Sequence, residues 1–190
     1  MSRSVKTLNR YIVTSAAKSA DLAMQRFNDA TIIVLNRQRT KKINTRLLKQ
    51  IVGTLLAELE ITEAELGINL VGNREMILVN ETFLQHEGST DVITFDHQNC
   101  ELRIANCELK IHGELFICVD EAISQAKNFK TSWQSEIVRY LIHGVLHLLG
   151  HDDLRGAARH KMKREENRLL RGLAKKFSLA QIAGRSKISA

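Results

Sequence analysis

The sequence predicts one layered domain of mixed class, α+β or α/β, on three observations. Short apolar runs rich in β-branched residues recur along the chain. Longer stretches between them keep the three-and-four apolar spacing of a helix with one buried face. The chain has 190 residues and 44% hydrophobic content, enough for one packed core, yet no apolar run approaches the roughly 18 residues of a membrane span.

The elements follow in order. Ala30–Leu35 (ATIIVL) reads as a short, fully buried strand. Ile43–Leu59 reads as a helix, with Leu47, Leu48, Ile51, Val52, Leu55, Leu56 and Leu59 on one face. Leu66–Val71 is a second strand after a turn containing Gly67, and Arg74–Leu84 a second helix. Ser89-Thr90-Asp91 breaks that helix, and Val92–Phe95 (VITF) is a strand. A hairpin-like stretch spans Leu102–Lys110, and Gly113 precedes the strand Glu114–Val119. Asp120–Phe129 reads as helical. Thr131 and Gln134 have capping-box spacing before a broad apolar helix through Ile137, Val138, Leu141, Ile142, Val145, Leu146 and Leu149. Gly150 is its stop signal. A last helix runs from Arg155 to Leu173, with Met162, Leu169 and Leu170 inward.

Composition divides the chain into a basic arm (1–29), a domain (30–173) and a basic tail (174–190). Residues 1–50 hold eleven Lys/Arg against two acids, and residues 155–190 the same. Residues 51–154 reverse this, with six against seventeen. Two basic ends around an acidic middle suit a polyanion such as RNA. Candidate contacts there include Arg37, Arg39, Lys41, Lys42, Lys175 and Lys176; solvated basic tails are the alternative. Three cysteines, Cys100, Cys107 and Cys118, form no CxxC pair, which argues against a disulfide framework and for a reducing cytoplasm. Residues 1–28, basic and Ser-rich with the single acid Asp21, also have the composition of a transit peptide, which would place the protein in an organelle.

The chemistry concentrates in His143-Gly144-Val145-Leu146-His147. Histidines at i and i+4 share one helix face, one turn apart, and two neutral imidazoles there can hold one tetrahedral metal ion. Two histidines satisfied by core hydrogen bonds would have the same spacing. Gly150 lets the chain turn back, so that Asp153 can approach the ion from another side. His151 is the rival ligand if the helix continues past the glycine. The spacing is that of the zincin signature, but position 144 is glycine where zincins carry their glutamate base, which disfavours peptidase chemistry.

His143 to Asp153 resembles the HGxLHLxGxDH motif of the YbeY metalloproteins. Val79-Asn80 with Ser89 to Phe95 resembles that family's LN…PTDVLSF segment, and Gly113 to Ile117 its GDI-type strand. Glu136 stands ahead of the histidine helix, and Met162 to Glu166 falls in the family's last helix. The resemblance covers roughly residues 30 to 170. It implies an α+β fold, a small mixed sheet packed with helices and a metal in a cleft. It also implies a zinc-dependent, single-strand-specific endoribonuclease, with one zinc per chain, acting in ribosomal RNA maturation and ribosome quality control. The sequence departs from the motif twice. Asp153 replaces its third histidine, and Leu84 stands where many members have an arginine; His86 is either a nearby substitute or a solvated loop histidine.

Candidate proton-transfer groups are Asp152 and Glu114; each has a structural alternative, as turn acceptor and strand-edge charge. A zinc-stabilised RNA-binding ribosome assembly factor without turnover is the competing reading. His97, His112 and His160 read as surface residues.

Overall fold

A computed structural model describes residues 30–97 and 110–184. In chain order it has β1 (Ala30–Asn36), α1 (Thr45–Glu58), β2 (Glu63–Val71) and α2 (Asn73–Val79), which continues into a π-helical turn (Asn80–Leu84). Then come β3 (Val92–Asp96), β4 (Lys110–Cys118), α3 (Val119–Phe129), α4 (Trp133–Leu148), α5 (Gly156–Lys176) and a 3-10 turn (Leu179–Ile182). The sheet order is β1-β2-β4-β3; β1, β2 and β4 are parallel and β3 runs antiparallel to β4. This is the mixed sheet of an α+β domain. The basic arm and residues 102–109 of the expected hairpin lie outside the described residues.

Strand alternation assigns the two faces of the sheet. Leu66, Ile68 and Leu70 of β2 and Ile111, Leu115 and Ile117 of β4 point into the main core, with α1, α4 and α5. Helix α1 forms because Asn44 caps it, its Oδ1 accepting from the Leu47 amide at 3.1 Å. It stays because Leu48, Ile51, Val52, Leu55 and Leu56 are buried, each contributing roughly 1.5–3 kcal/mol. On the other face a smaller cluster joins Val71, Met76, Val79, Ile93 and Cys118, with Phe95 and Phe116 against it.

Several elements differ from the sequence reading. β1 is an edge strand covered on one face, so Ile32 is buried but Ile33 and Leu35 stand 53% and 45% exposed. Gly67 lies inside β2, where a Cβ would come within 2.9 Å of Glu114 Cγ in the neighbouring strand. Gly113 likewise lies inside β4. The expected helix 74–84 changes to π geometry at Asn80, whose Nδ2 donates to Gly88 O at 2.9 Å and closes the loop before β3. Helix α5 runs to Lys176, and Ile182 beyond it is fully buried, so residues 174–184 belong to the packed domain rather than to a tail.

Candidate metal centre

Helix α4 carries the two histidines. Its cap is Ser132, whose Oγ accepts from the Ser135 amide at 3.2 Å; Thr131 instead donates from its hydroxyl to Glu136 Oε1 at 2.6 Å. The expected Thr131/Gln134 box is therefore displaced by one residue. The buried face of α4 lies against β4 so closely that a Cβ at Gly144 would stand 2.6 Å from Leu115 Cδ2. The space a side chain would need at the zincin base position is taken by the buried Leu115 side chain. His143 and His147 sit one turn apart at the helix margin, partly exposed.

The helix ends in a Schellman motif. Gly150 takes φ +82°; its amide donates to His147 O at 2.8 Å, and the His151 amide donates to Leu146 O at 3.0 Å. The chain reverses and brings Asp153 back over the histidines. Asp153 Oδ2 lies 3.9 Å from His143 Nε2, and Oδ1 lies 3.9 Å from His147 Nε2. The two Nε2 atoms are 2.9 Å apart.

These residues fit a metal ion. Ligand atoms 2.0–2.1 Å from a tetrahedral ion stand roughly 3.3 Å from one another, within the spread found here. The outer nitrogens complete the argument. His143 Nδ1 faces Glu166 Oε1 at 2.6 Å, and His147 Nδ1 faces the main-chain oxygen of His151 at 3.0 Å. Both partners are acceptors, which assigns the protons to both Nδ1 atoms and leaves both Nε2 lone pairs aimed at one point. Two lone pairs at that separation call for a cation or a proton between them.

Behind His143 runs a buried charged network that the sequence reading missed. Glu166 is 7% exposed, and its Oε2 lies 3.7 Å from Arg139 Nη1. Arg139 also donates from Nη1 to Asn167 Oδ1 at 3.0 Å, and its Nε lies 3.6 Å from Glu136 Oε2. Burial lowers the His143 pKa, but the Glu166 hydrogen bond and charge, aided by Asp91 and Asp153, outweigh it and hold the ring above its ordinary value. A signal for Glu166 was present in the spacing. Met162, Leu169, Leu170 and Leu173 define the inner face of α5, and position 166 falls on it.

The other candidates are placed elsewhere. The His151 imidazole does not join the group, because the helix ends before it; what it offers is its carbonyl. Asp152 is exposed and closes a local turn, accepting from the Leu154 amide at 2.8 Å. Glu114 alternates onto the sheet face turned away from α4, where Asn69 Nδ2 donates to it at 3.2 Å and His97 lies 3.8 Å away. Neither acid is brought to the metal group. Leu84, 47% exposed, ends the π-turn, and His86 follows it on the exposed loop. His112 pairs with Glu65 at 3.4 Å, and His160 faces Gly156 O at 2.6 Å.

The basic candidates do not gather in one patch. Arg37, Arg39, Lys41 and Lys42 precede α1, and Arg37 pairs with Glu75 at 2.8 Å. Lys176 pairs with Glu58 at the far end of α1, about 21 Å away along a helix of 14 residues, and Lys175 is exposed beside it.

Comparison with known proteins agrees with this architecture. The solution structure of TM1509 from Thermotoga maritima superposes with a TM-score of 0.56 at 18% identity, covering 84% of this chain and all of that one. A protein named Endoribonuclease YbeY from Chlorobium phaeovibrioides is 32% identical over 139 residues, 73% of this chain and 88% of its own length. One of the same name from Syntrophotalea carbinolica is 31% identical over 152 residues, 77% of this chain and 97% of its own length. The family profile described as Endoribonuclease YbeY matches residues 15–174, and so this chain, with its histidine helix and returning aspartate, belongs to the YbeY family.

Proposed function

We propose that the protein is a zinc-dependent endoribonuclease that hydrolyses phosphodiester bonds in single-stranded RNA, with one zinc ion at His143, His147 and Asp153. The observation that carries this reading is the three-ligand group itself. Its side chains are 24%, 30% and 34% exposed, and among the described residues no fourth His, Cys, Asp or Glu joins it. Structural zinc sites are closed by four protein ligands, whereas catalytic sites keep one position open. A zinc ion there supplies Lewis acidity and a water acidified toward neutrality. The protein contributes orientation and charge. Glu166 and the His151 carbonyl fix both imidazoles in the tautomer that binds through Nε2. Asp153 leaves the loaded group with a net single positive charge, suited to a phosphodiester anion.

The substrate class rests on the family, whose name is that of an endoribonuclease, and on the basic flanks. Ribosomal RNA precursors and ribosome quality control are the setting we infer for it. The cysteine pattern supports a reducing compartment, the cytoplasm or, if residues 1–28 direct transport, an organelle.

The test is cleavage of end-labelled single-stranded RNA by metal-loaded protein, against His147→Ala as control. Activity should vanish on chelation and return on adding metal. Duplex RNA should be cut less, since its phosphates are held in a stiff A-form helix. If no RNA, naked or ribosome-bound, is cut faster than by the control, the reading fails and the assembly-factor reading replaces it.

A further inference from the structure

A cavity of about 590 Å³ opens at the carboxyl ends of β1 and β2, lined by Arg37, Gln38, Arg39, Gly72, Arg74, Glu75 and Leu78. Its size is that of a small-ligand site. Its place is where open sheets with parallel strands bind ligands, outside the strand carboxyl ends. Helix α2, which forms one wall, packs on the sheet face opposite the main core that α4 joins. The cavity is therefore separate from the metal centre.

Both walls are held rigid by groups with no other evident task. The Arg37 and Gln38 amides both donate to Leu70 O, at 2.9 and 3.2 Å, which folds the chain over the end of β2. Gln38, only 7% exposed, then stitches the loop. Its Nε2 donates to Asn36 Oδ1 and Lys41 O at 2.8 and 2.7 Å, and its Oε1 accepts from the Lys41 amide at 2.9 Å. Asp120 ties the loop to the start of α2, accepting from Thr40 Oγ1 and from the Asn73 amide, each at 2.8 Å. Both oxygens of Asp120 are thereby engaged, and Glu75 is engaged by Arg37. A site ordered in advance spends little binding energy on ordering.

What remains unengaged is cationic and apolar. Among the described residues, the side chains of Arg39 and Arg74 have no hydrogen bond or ion pair. Leu78 is 62% exposed at the same cavity. Guanidiniums recognise phosphate oxygens through paired charge-assisted hydrogen bonds, and an exposed leucine offers a surface for a sugar or base. We propose that this cavity is a phosphate-binding site that takes one nucleotide unit of an RNA strand, its phosphate between Arg39 and Arg74 and its nucleoside against Leu78. The proposal rests on the endoribonuclease reading for the source of the phosphate. The same chemistry would take a free nucleotide, so the experiment separates the two.

The experiment titrates uridine, uridine 5′-monophosphate and a short oligouridylate with cleavage-resistant phosphorothioate linkages into full-length, metal-loaded protein, wild type and an Arg39→Ala/Arg74→Ala variant. Arginine side-chain NMR signals and fluorescence anisotropy follow binding. The monophosphate should shift the Arg39 and Arg74 signals, and uridine should not. The oligonucleotide should bind more tightly than the monophosphate. The double variant should bind the oligonucleotide about tenfold or more weakly, with a salt slope shallower by about 0.7 because one phosphate is no longer neutralised. Metal content should be unchanged, which distinguishes this site from the metal centre. Equal affinity of both proteins for the oligonucleotide overturns the proposal. Binding of the monophosphate with no gain for the oligonucleotide overturns the RNA source and assigns the cavity to free nucleotides. Neither result depends on RNA cleavage, so failure here is distinct from failure of the nuclease reading.

Discussion

Glu166 Oε1 lies 2.6 Å from Nδ1 of His143, joining the last long helix to the first ligand of the metal group. The carboxylate is buried and held from behind by Arg139, so it acts as a fixed acceptor. Partners of this kind orient a ligand imidazole, and their loss typically costs 10–100-fold in metal affinity. Glu166→Ala should therefore weaken zinc binding by about that factor in a chelator-competition assay. Glu166→Gln should recover part of it, because its amide oxygen can still accept from Nδ1–H. Unchanged affinity in both variants would remove Glu166 from the site.

Asp153 and His151 should respond unequally. Asp153→Ala removes a ligand atom and should reduce zinc stoichiometry. His151→Ala keeps the main-chain oxygen that holds His147 Nδ1 and should leave metal binding within a few-fold of wild type. Asp153→His should be tolerated, since imidazole is also a zinc ligand. Metal analysis after dialysis against a weak chelator gives the order, and a larger loss from His151→Ala contradicts the Schellman turn.

The histidine pair, the glycine stop and the returning aspartate were legible in the sequence because each is local. Spacing along one helix, and one turn after it, fixes their relation. The placement of Glu114 away from that group was not legible, for the complementary reason. Which face of a strand meets a helix depends on the register of β4 against β2 and α4, and a residue next to Gly113 gives no sign of it. The buried strand expected at Ala30–Leu35 failed similarly, since an apolar run does not reveal whether its strand is central or at an edge. Glu166 needed both kinds of information. Its helix position was readable, but its partner lies 23 residues away.

The pH dependence of metal binding follows from the raised His143 pKa. Zinc requires the neutral imidazole, so protons compete with it below the shifted value, which lies above the ordinary 6.5. Affinity should rise with pH through that value, by up to about tenfold per unit for the one proton displaced. Glu166→Gln keeps an acceptor for Nδ1–H but removes the carboxylate charge that helps raise the value, so its profile should move to lower pH. In the metal-free protein the sign reverses. Proton binding at His143 stabilises the fold, fully below the unfolded-state pKa, and this is lost as pH rises through the folded one. Affinity and melting curves at several pH values read both effects.

Gly144→Ala tests the contact between α4 and the sheet. The added methyl would meet Leu115 Cδ2 at 2.6 Å inside a packed core. Overpacking of this kind costs typically about 1–3 kcal/mol, so the unfolding free energy should fall by about that amount, read as a lower denaturation midpoint. Since His143 is the neighbouring residue, zinc affinity should fall too. A variant as stable as wild type would show that Leu115 or the helix gives way at no cost.

Leu84 is one of the two positions where the family resemblance and this chain part, and its surroundings decide what a substitution does. It ends the π-turn at 47% exposure, next to Gln85 in the left-handed region at φ +56°. An arginine there replaces a half-exposed leucine and should change stability by no more than about 0.5 kcal/mol, as surface substitutions do. Its effect on RNA is another matter, because a guanidinium can hold a phosphate through two hydrogen bonds where leucine offers none. Leu84→Arg should therefore increase cleavage of single-stranded RNA by about tenfold, the consequence of one charge-assisted contact made to the reacting strand. If the gain appears in KM alone, the arginine holds substrate and transition state equally; a gain in kcat places it at the scissile phosphate. No change in either would show that the strand does not pass Leu84, and that this chain engages its substrate by a route other than the one its family resemblance implies.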